Sequence, residues 1–145
     1  MGIALRSRYA SAFLAAILLL SAIFSLYGCE SAPKELQFKN ELKTTVNIYF
    51  SNALDDDWSD KPTRTGIRGG AQVGLNFSDF DGASGKKTDI GAIDENSVNY
   101  DIYDVVLIRG DLIVLTGDEN GARFVITHSD GTSSIFSAII KPSDG

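Results

Sequence analysis

At 145 residues, with aliphatic and aromatic side chains making up 43%, the chain has the length of one domain and is too apolar to stay disordered. Thirteen basic residues stand against nineteen acidic ones, and Arg6 and Arg8 are the only charges before Cys29, so the remainder carries a formal charge of about −8. That balance argues against nucleic acid as a partner, because an acidic surface repels the phosphate backbone, and it offers no attraction to an anionic membrane surface.

The first element in chain order is an export signal. Arg6 and Arg8 form its positive start, residues 10–26 its apolar stretch, and Gly28 the small residue before the break. The stretch Leu26-Tyr27-Gly28-Cys29 resembles the bacterial lipobox, with leucine at −3, a small residue at −1 and cysteine at +1. Tyr27 departs from it, since −2 is usually smaller. The resemblance implies cleavage between Gly28 and Cys29, a diacylglycerol on the Cys29 sulfur, and acylation, with palmitate as the expected chain, of the new amine. It also gives the single cysteine of an exported chain a use, where a free thiol would be open to oxidation. The alternative is an uncleaved membrane helix: eighteen residues, 10–27, would span about 27 Å. Glu30 follows the cysteine where the aspartate of inner-membrane retention would stand, which favours the outer membrane. Residues 1–28 are thus expected as signal peptide with a signal helix, 29–35 as a lipidated tether, and 36–141 as the folded domain.

Within that domain the dominant signal is period-2 alternation, the mark of half-buried antiparallel strands. Leu36 and Phe38 alternate with Gln37 and Lys39; Val46, Ile48 and Phe50 with Thr45, Asn47 and Tyr49; Ala71, Val73, Leu75 and Phe77 with Gln72, Gly74 and Asn76. The last third reads as a meander of strands near 98–108, 111–117, 122–128 and 133–140, joined by Gly and Asx turns. Val98, Tyr100 and Ile102 share a parity that then meets Asp104, whereas Val105 and Leu107 have the opposite one. A β-bulge near 102–104 would avoid burying the aspartate. Residues 111–116 are apolar on both parities, as in a central strand. Segments 51–65 and 78–97 read as long irregular loops. About seven strands without helices between them predict an all-β, antiparallel β-sandwich, immunoglobulin-like or similar, with a closed barrel as the alternative.

Candidate chemistries are sparse. The single histidine, His128, falls at a strand end with no second histidine or free cysteine to build a nucleophilic or zinc site, so no catalytic residue, metal or cofactor is expected. The glycines of 66–74 lack the lysine and helix of a phosphate loop. Asp79 and Asp81 fit the first positions of a calcium loop, but Ala83 and Asp89 break the spacing. Arg109-Gly110-Asp111 is formally an adhesion tripeptide and also simple turn chemistry. Asp55, Asp56, Asp57 and Asp60 surround Trp58, the only tryptophan, which either plugs one end of the sandwich or forms an aromatic contact in an acidic rim for a cationic or carbohydrate-like ligand. If both long loops meet at one end, Asp79, Asp81, Asp89, Asp94 and Glu95 join that rim.

Five short pieces resemble small bacterial secreted or lipoprotein β-sandwich domains of unknown function: Asn40, "IYFS" at 48–51, "DDW" at 56–58, Gly69-Gly70 and "YDI" at 100–102. The resemblance implies an all-β sandwich and carries over no catalytic residue. The expected protein is a non-enzymatic, lipid-anchored binding or assembly module of the cell envelope, in the outer membrane and facing the periplasm or the cell surface. Its partners are the membrane, through Cys29, and an envelope protein. The alternative is a structural component of a larger envelope complex joined through sheet edges.

Overall fold

A computed structural model describes residues 34–52, 61–118 and 120–142, all within the unit Lys34–Gly145. The expected signal helix, Cys29 and the Trp58 cluster lie outside the described residues. Among those described, the alternation of the sequence becomes ten strands: β1 Leu36–Asn40, β2 Val46–Asn52, β3 Arg64–Ile67, β4 Gln72–Leu75, β5 Lys87–Asp94, β6 Val98–Val106, β7 Leu112–Thr116, β8 Arg123–Thr127, β9 Ser133–Ser137 and β10 Ile139–Pro142. They form two five-stranded sheets, ordered β4-β1-β7-β8-β9 and β10-β6-β5-β2-β3, and the chain is an all-β sandwich. All pairings are antiparallel except β1 with β7. The core lies between the sheets, where Phe38 and Ile113 of one sheet and Ile48, Ile90 and Tyr100 of the other are each no more than 2% exposed. Packing of this kind is the main stabilising term, and truncating Phe38 or Phe124 to alanine would cost about 3–5 kcal/mol.

The bulge expected near 102–104 is present. Ile90 pairs with Ile102 and Thr88 with Val105, so β6 spends three residues where β5 spends two. Asp104 adopts a φ of 59°, which turns it out of the sheet. It pairs there with Lys87 at 3.1 Å, and its N–H donates to Asp89 Oδ1 at 2.8 Å. Val105 and Leu107 then return to the core. The strand over 111–117 is central, as its two apolar parities required: β7 lies between β1 and β8.

Three expectations are corrected. Segment 78–97 is not one loop, because β5 occupies Lys87–Asp94 in the middle of the second sheet. Segment 51–65 is not wholly irregular either; β2 runs on to Asn52 and β3 begins at Arg64. Finally, the last third is not a single meander. β7, β8 and β9 form one, while β6 and β10 pair with each other in the opposite sheet, the chain crossing over at Ala138.

Asn40, at the end of β1, holds a loop in place from inside. It is fully buried. Its Nδ2 donates to the Thr44 and Ile67 carbonyls, both at 2.8 Å, and its Oδ1 accepts from Leu42 N–H at 3.0 Å. The side chain thereby ties the β1–β2 connection to β3.

Candidate functional site

The strands divide the turns between two ends. At the end where β1 starts, Glu35 is clamped three ways. Its carboxylate accepts from Phe77 N–H at 2.8 Å and pairs with Arg109, and its carbonyl accepts from Gly110 N–H at 2.7 Å. Beside it, Phe50 of β2 stacks on Phe80 with ring centroids 4.7 Å apart, Asn52 Nδ2 donates to the Asp81 carbonyl at 3.2 Å, and Phe50 N–H donates to Thr63 Oγ1 at 3.2 Å. The stem of the 51–65 segment and the short 3-10 turn Phe77–Phe80 therefore do meet. Asp56, Asp57, Trp58 and Asp60, the expected ligand-binding set, lie outside the described residues.

The proposed rim does not extend as the sequence suggested. Asp79 caps its own turn, accepting from Asn76 N–H at 2.8 Å. Asp89 is a strand residue bonded across to Asp104. Asp94 and Glu95 end β5 at the far side of the sandwich, away from Asp79 and Asp81, because the strand carries the chain from one end to the other.

The same Glu35 end holds an Asp–His pair. Asp111 is fully buried. Its Oδ1 lies 2.8 Å from His128 Nδ1, and its Oδ2 accepts from Ile108 N–H at 2.8 Å. A carboxylate so placed selects the Nδ1–H tautomer. The pair has the form of half a nucleophilic triad, but no hydroxyl of the described residues bonds the ring. It works as a clamp between the β6–β7 turn and the end of β8. The aspartate of the Arg-Gly-Asp tripeptide is thus internal and not displayed for adhesion.

At the opposite end a recess of about 280 Å³ is lined by Leu42, Lys43, Thr44, Asp94, Asn96, Tyr100, Gly117 and Asp118. The oxygens of Asp94 are already engaged: Oδ1 accepts from Asn96 and Val98 N–H, each at 2.9 Å, and Oδ2 from the Tyr100 hydroxyl at 3.2 Å. Asp94 therefore shapes the β5–β6 turn, leaving Lys43 and Asp118 as the charges at the rim. Among the described residues no three His, Cys, Asp or Glu side chains gather as a metal set, and no helix is long and apolar enough to cross a membrane.

The outer face of the second sheet carries one perturbed carboxyl. Burial pushes Asp101 up, opposed by the Lys141 charge and by the Tyr103 hydroxyl, which donates at 3.4 Å. A raised folded-state proton affinity means that the ionised group opposes folding above its unfolded titration range, and that this cost lessens as pH falls. Asp101→Asn is expected to stabilise the domain by up to about 1 kcal/mol at neutral pH, with the gain disappearing near about pH 4. Urea midpoints of both proteins across pH check the sign.

The sheet edges differ in how they are protected. β3 is short and carries Arg64, a Gly66 at φ 67° and a register shift against β2. β10 carries Lys141 and Pro142. β4 has four residues, and the Lys34 stem lies over its Gly74. β9, "SSIFS", has no charge, proline, glycine or register shift, and its Ile135 is 67% exposed. Charges, prolines and bulges are the usual means of keeping an edge from pairing, and β9 has none of them. The sequence pattern marks this strand but not its edge position, which depends on the crossover at Ala138. No protein-family model, curated protein or solved structure matches the chain.

Proposed function

We propose that the chain is a lipid-anchored, non-enzymatic module of the cell envelope, held by Cys29 and acting by binding or assembly. The observation that carries this reading is the lipobox-like Leu26-Tyr27-Gly28-Cys29 placed just before a strand domain. β1 begins at Leu36, seven residues after Cys29, and Glu35 is already clamped into the fold. Seven residues reach at most about 25 Å, so a lipid on Cys29 would keep the Glu35 end near the membrane and leave the Asp94–Tyr100 recess at the remote end. The outer membrane, with the domain facing the periplasm or the cell surface, is the location this reading favours.

A second reading, a structural component joined through sheet edges, is favoured by the unprotected β9. Affinity capture of the full chain from solubilised membranes distinguishes the two. A stable, stoichiometric complex supports the structural role. Recovery of the chain with a soluble ligand supports the binding module. For the latter, emission from Trp58, the only indole, should shift on titration with calcium, cationic peptides or sugars; an emission that none of them changes contradicts a ligand at that loop.

A further inference from the structure

We propose that β9 is a docking strand for a second copy of this chain, forming a two-fold dimer in which β9 pairs antiparallel with its counterpart about Ile135. The pairing itself does not depend on the lipid anchor; its role in assembly rests on the reading above.

The hydrogen-bond pattern points to this. His128 N–H donates to the Thr132 carbonyl at 2.9 Å, and Ala138 N–H to the Ala122 carbonyl at 3.0 Å. These bonds bracket the β8–β9 ladder, whose register pairs Thr127 with Ser133, Val125 with Ile135 and Arg123 with Ser137. Antiparallel pairs alternate between bonded and non-bonded. The bonded pairs are therefore the even-numbered positions of β9, and Ser133, Ile135 and Ser137 point their N–H and C=O groups away from β8, toward the open edge. In a pair centred on Ile135, Ile135 meets Ile135 of the partner subunit, and Ser133 and Ser137 meet each other in both directions. Three N–H groups from each copy then find three carbonyls, with none left over.

The side chains agree with the backbone. On the outer face, Val114, Val125 and Ile135 lie in one row across β7, β8 and β9. Two-fold pairing joins that row to its copy through the exposed isoleucines, a cross-strand contact that stabilises sheets. No like charges fall opposite each other in β9, although the chain as a whole is acidic. Antiparallel pairing also sets the Arg123 end of each strand beside the turn carrying Asp130 in the other copy. The contact is isologous and uses up the one edge that lacks such protection among the described residues, so it closes as a dimer and does not propagate into a filament. A five-residue strand is smaller than a standard interface, which makes the dimer weak in dilute solution. Anchoring two copies to one membrane would raise their effective concentration.

Hydrogen exchange of the full chain in detergent, over a wide range of protein concentration, tests the proposal. The amides of Ser133, Ile135 and Ser137 should exchange about tenfold more slowly at the concentrated end, as sedimentation passes from monomer to dimer. Ile135→Lys, which sets like charges opposite each other, should abolish both effects with the melting temperature unchanged. Ile135→Thr, neutral and β-branched, should retain them, and so should Ile139→Lys on the β10 edge. A chain that stays monomeric at every concentration overturns the proposal, as does a dimer that survives Ile135→Lys. Protection of β9 that appears only when a different envelope protein is added also overturns it. Intact mass reports separately on the lipid at Cys29, so the two readings fail independently.

Discussion

Cys29→Ser is expected to move the protein out of the membrane fraction, either as a released domain or as an unprocessed chain that keeps residues 1–28. The reason is the size of the term removed. Each buried methylene contributes about 0.8 kcal/mol, so one acyl chain holds a protein marginally and two or three hold it durably. Nothing in the acidic remainder of the chain would replace that attraction, because its formal charge of about −8 is repelled by anionic lipid headgroups. Carbonate-washed membranes, probed for the wild type and the variant side by side, give the readout. A serine variant that remains as tightly bound as the wild type, with residues 1–28 removed in both, contradicts the anchor.

Asp111→Ala is expected to be the most damaging of the polar substitutions in the sandwich. It leaves the Ile108 N–H without its acceptor and frees the His128 ring. Losing a buried carboxylate that accepts two hydrogen bonds costs about 2–4 kcal/mol. For a domain of this size that lowers Tm by on the order of 10 °C. Asp111→Asn keeps the shape and one acceptor oxygen and should cost about half as much. Thermal melts of the three proteins decide it. An alanine variant as stable as the wild type would mean that the turn does not depend on the clamp.

How far the sequence led depended on which residues carried the alternation. β1 and β2 were legible because their inward positions are large and apolar, and the bulge in β6 because Asp104 broke a clear parity. β5 was not legible. Its inward positions are Thr88, Ile90, Ala92 and Asp94, and Gly91 interrupts the outward ones, so a central strand reads like a polar loop. Asp94 is satisfied inside by two N–H donors and a hydroxyl, whereas the buried Thr88 hydroxyl has no hydrogen-bond partner among the described residues. The split between β9 and β10 was hidden because Phe136, Ala138 and Ile140 keep one parity through the crossover, all three packing against the core. Nothing in the alternation marks a change of sheet there. The Asp111–His128 clamp was invisible for another reason. Its members are seventeen residues apart and meet only because β7 and β8 form a hairpin, so the aspartate read as turn chemistry and the histidine as a strand end.

The lipobox-like stretch was the most specific signal in the sequence, and the proposed function depends on it more than on any strand. Its most direct test is the intact mass of the protein isolated from membranes of a producing bacterium. The expected chain begins at Cys29 and is heavier than residues 29–145 by a diacylglycerol and, where the new amine is acylated, by a further acyl group. A mass that includes residues 1–28, or a chain beginning at Cys29 with a free thiol, would contradict it.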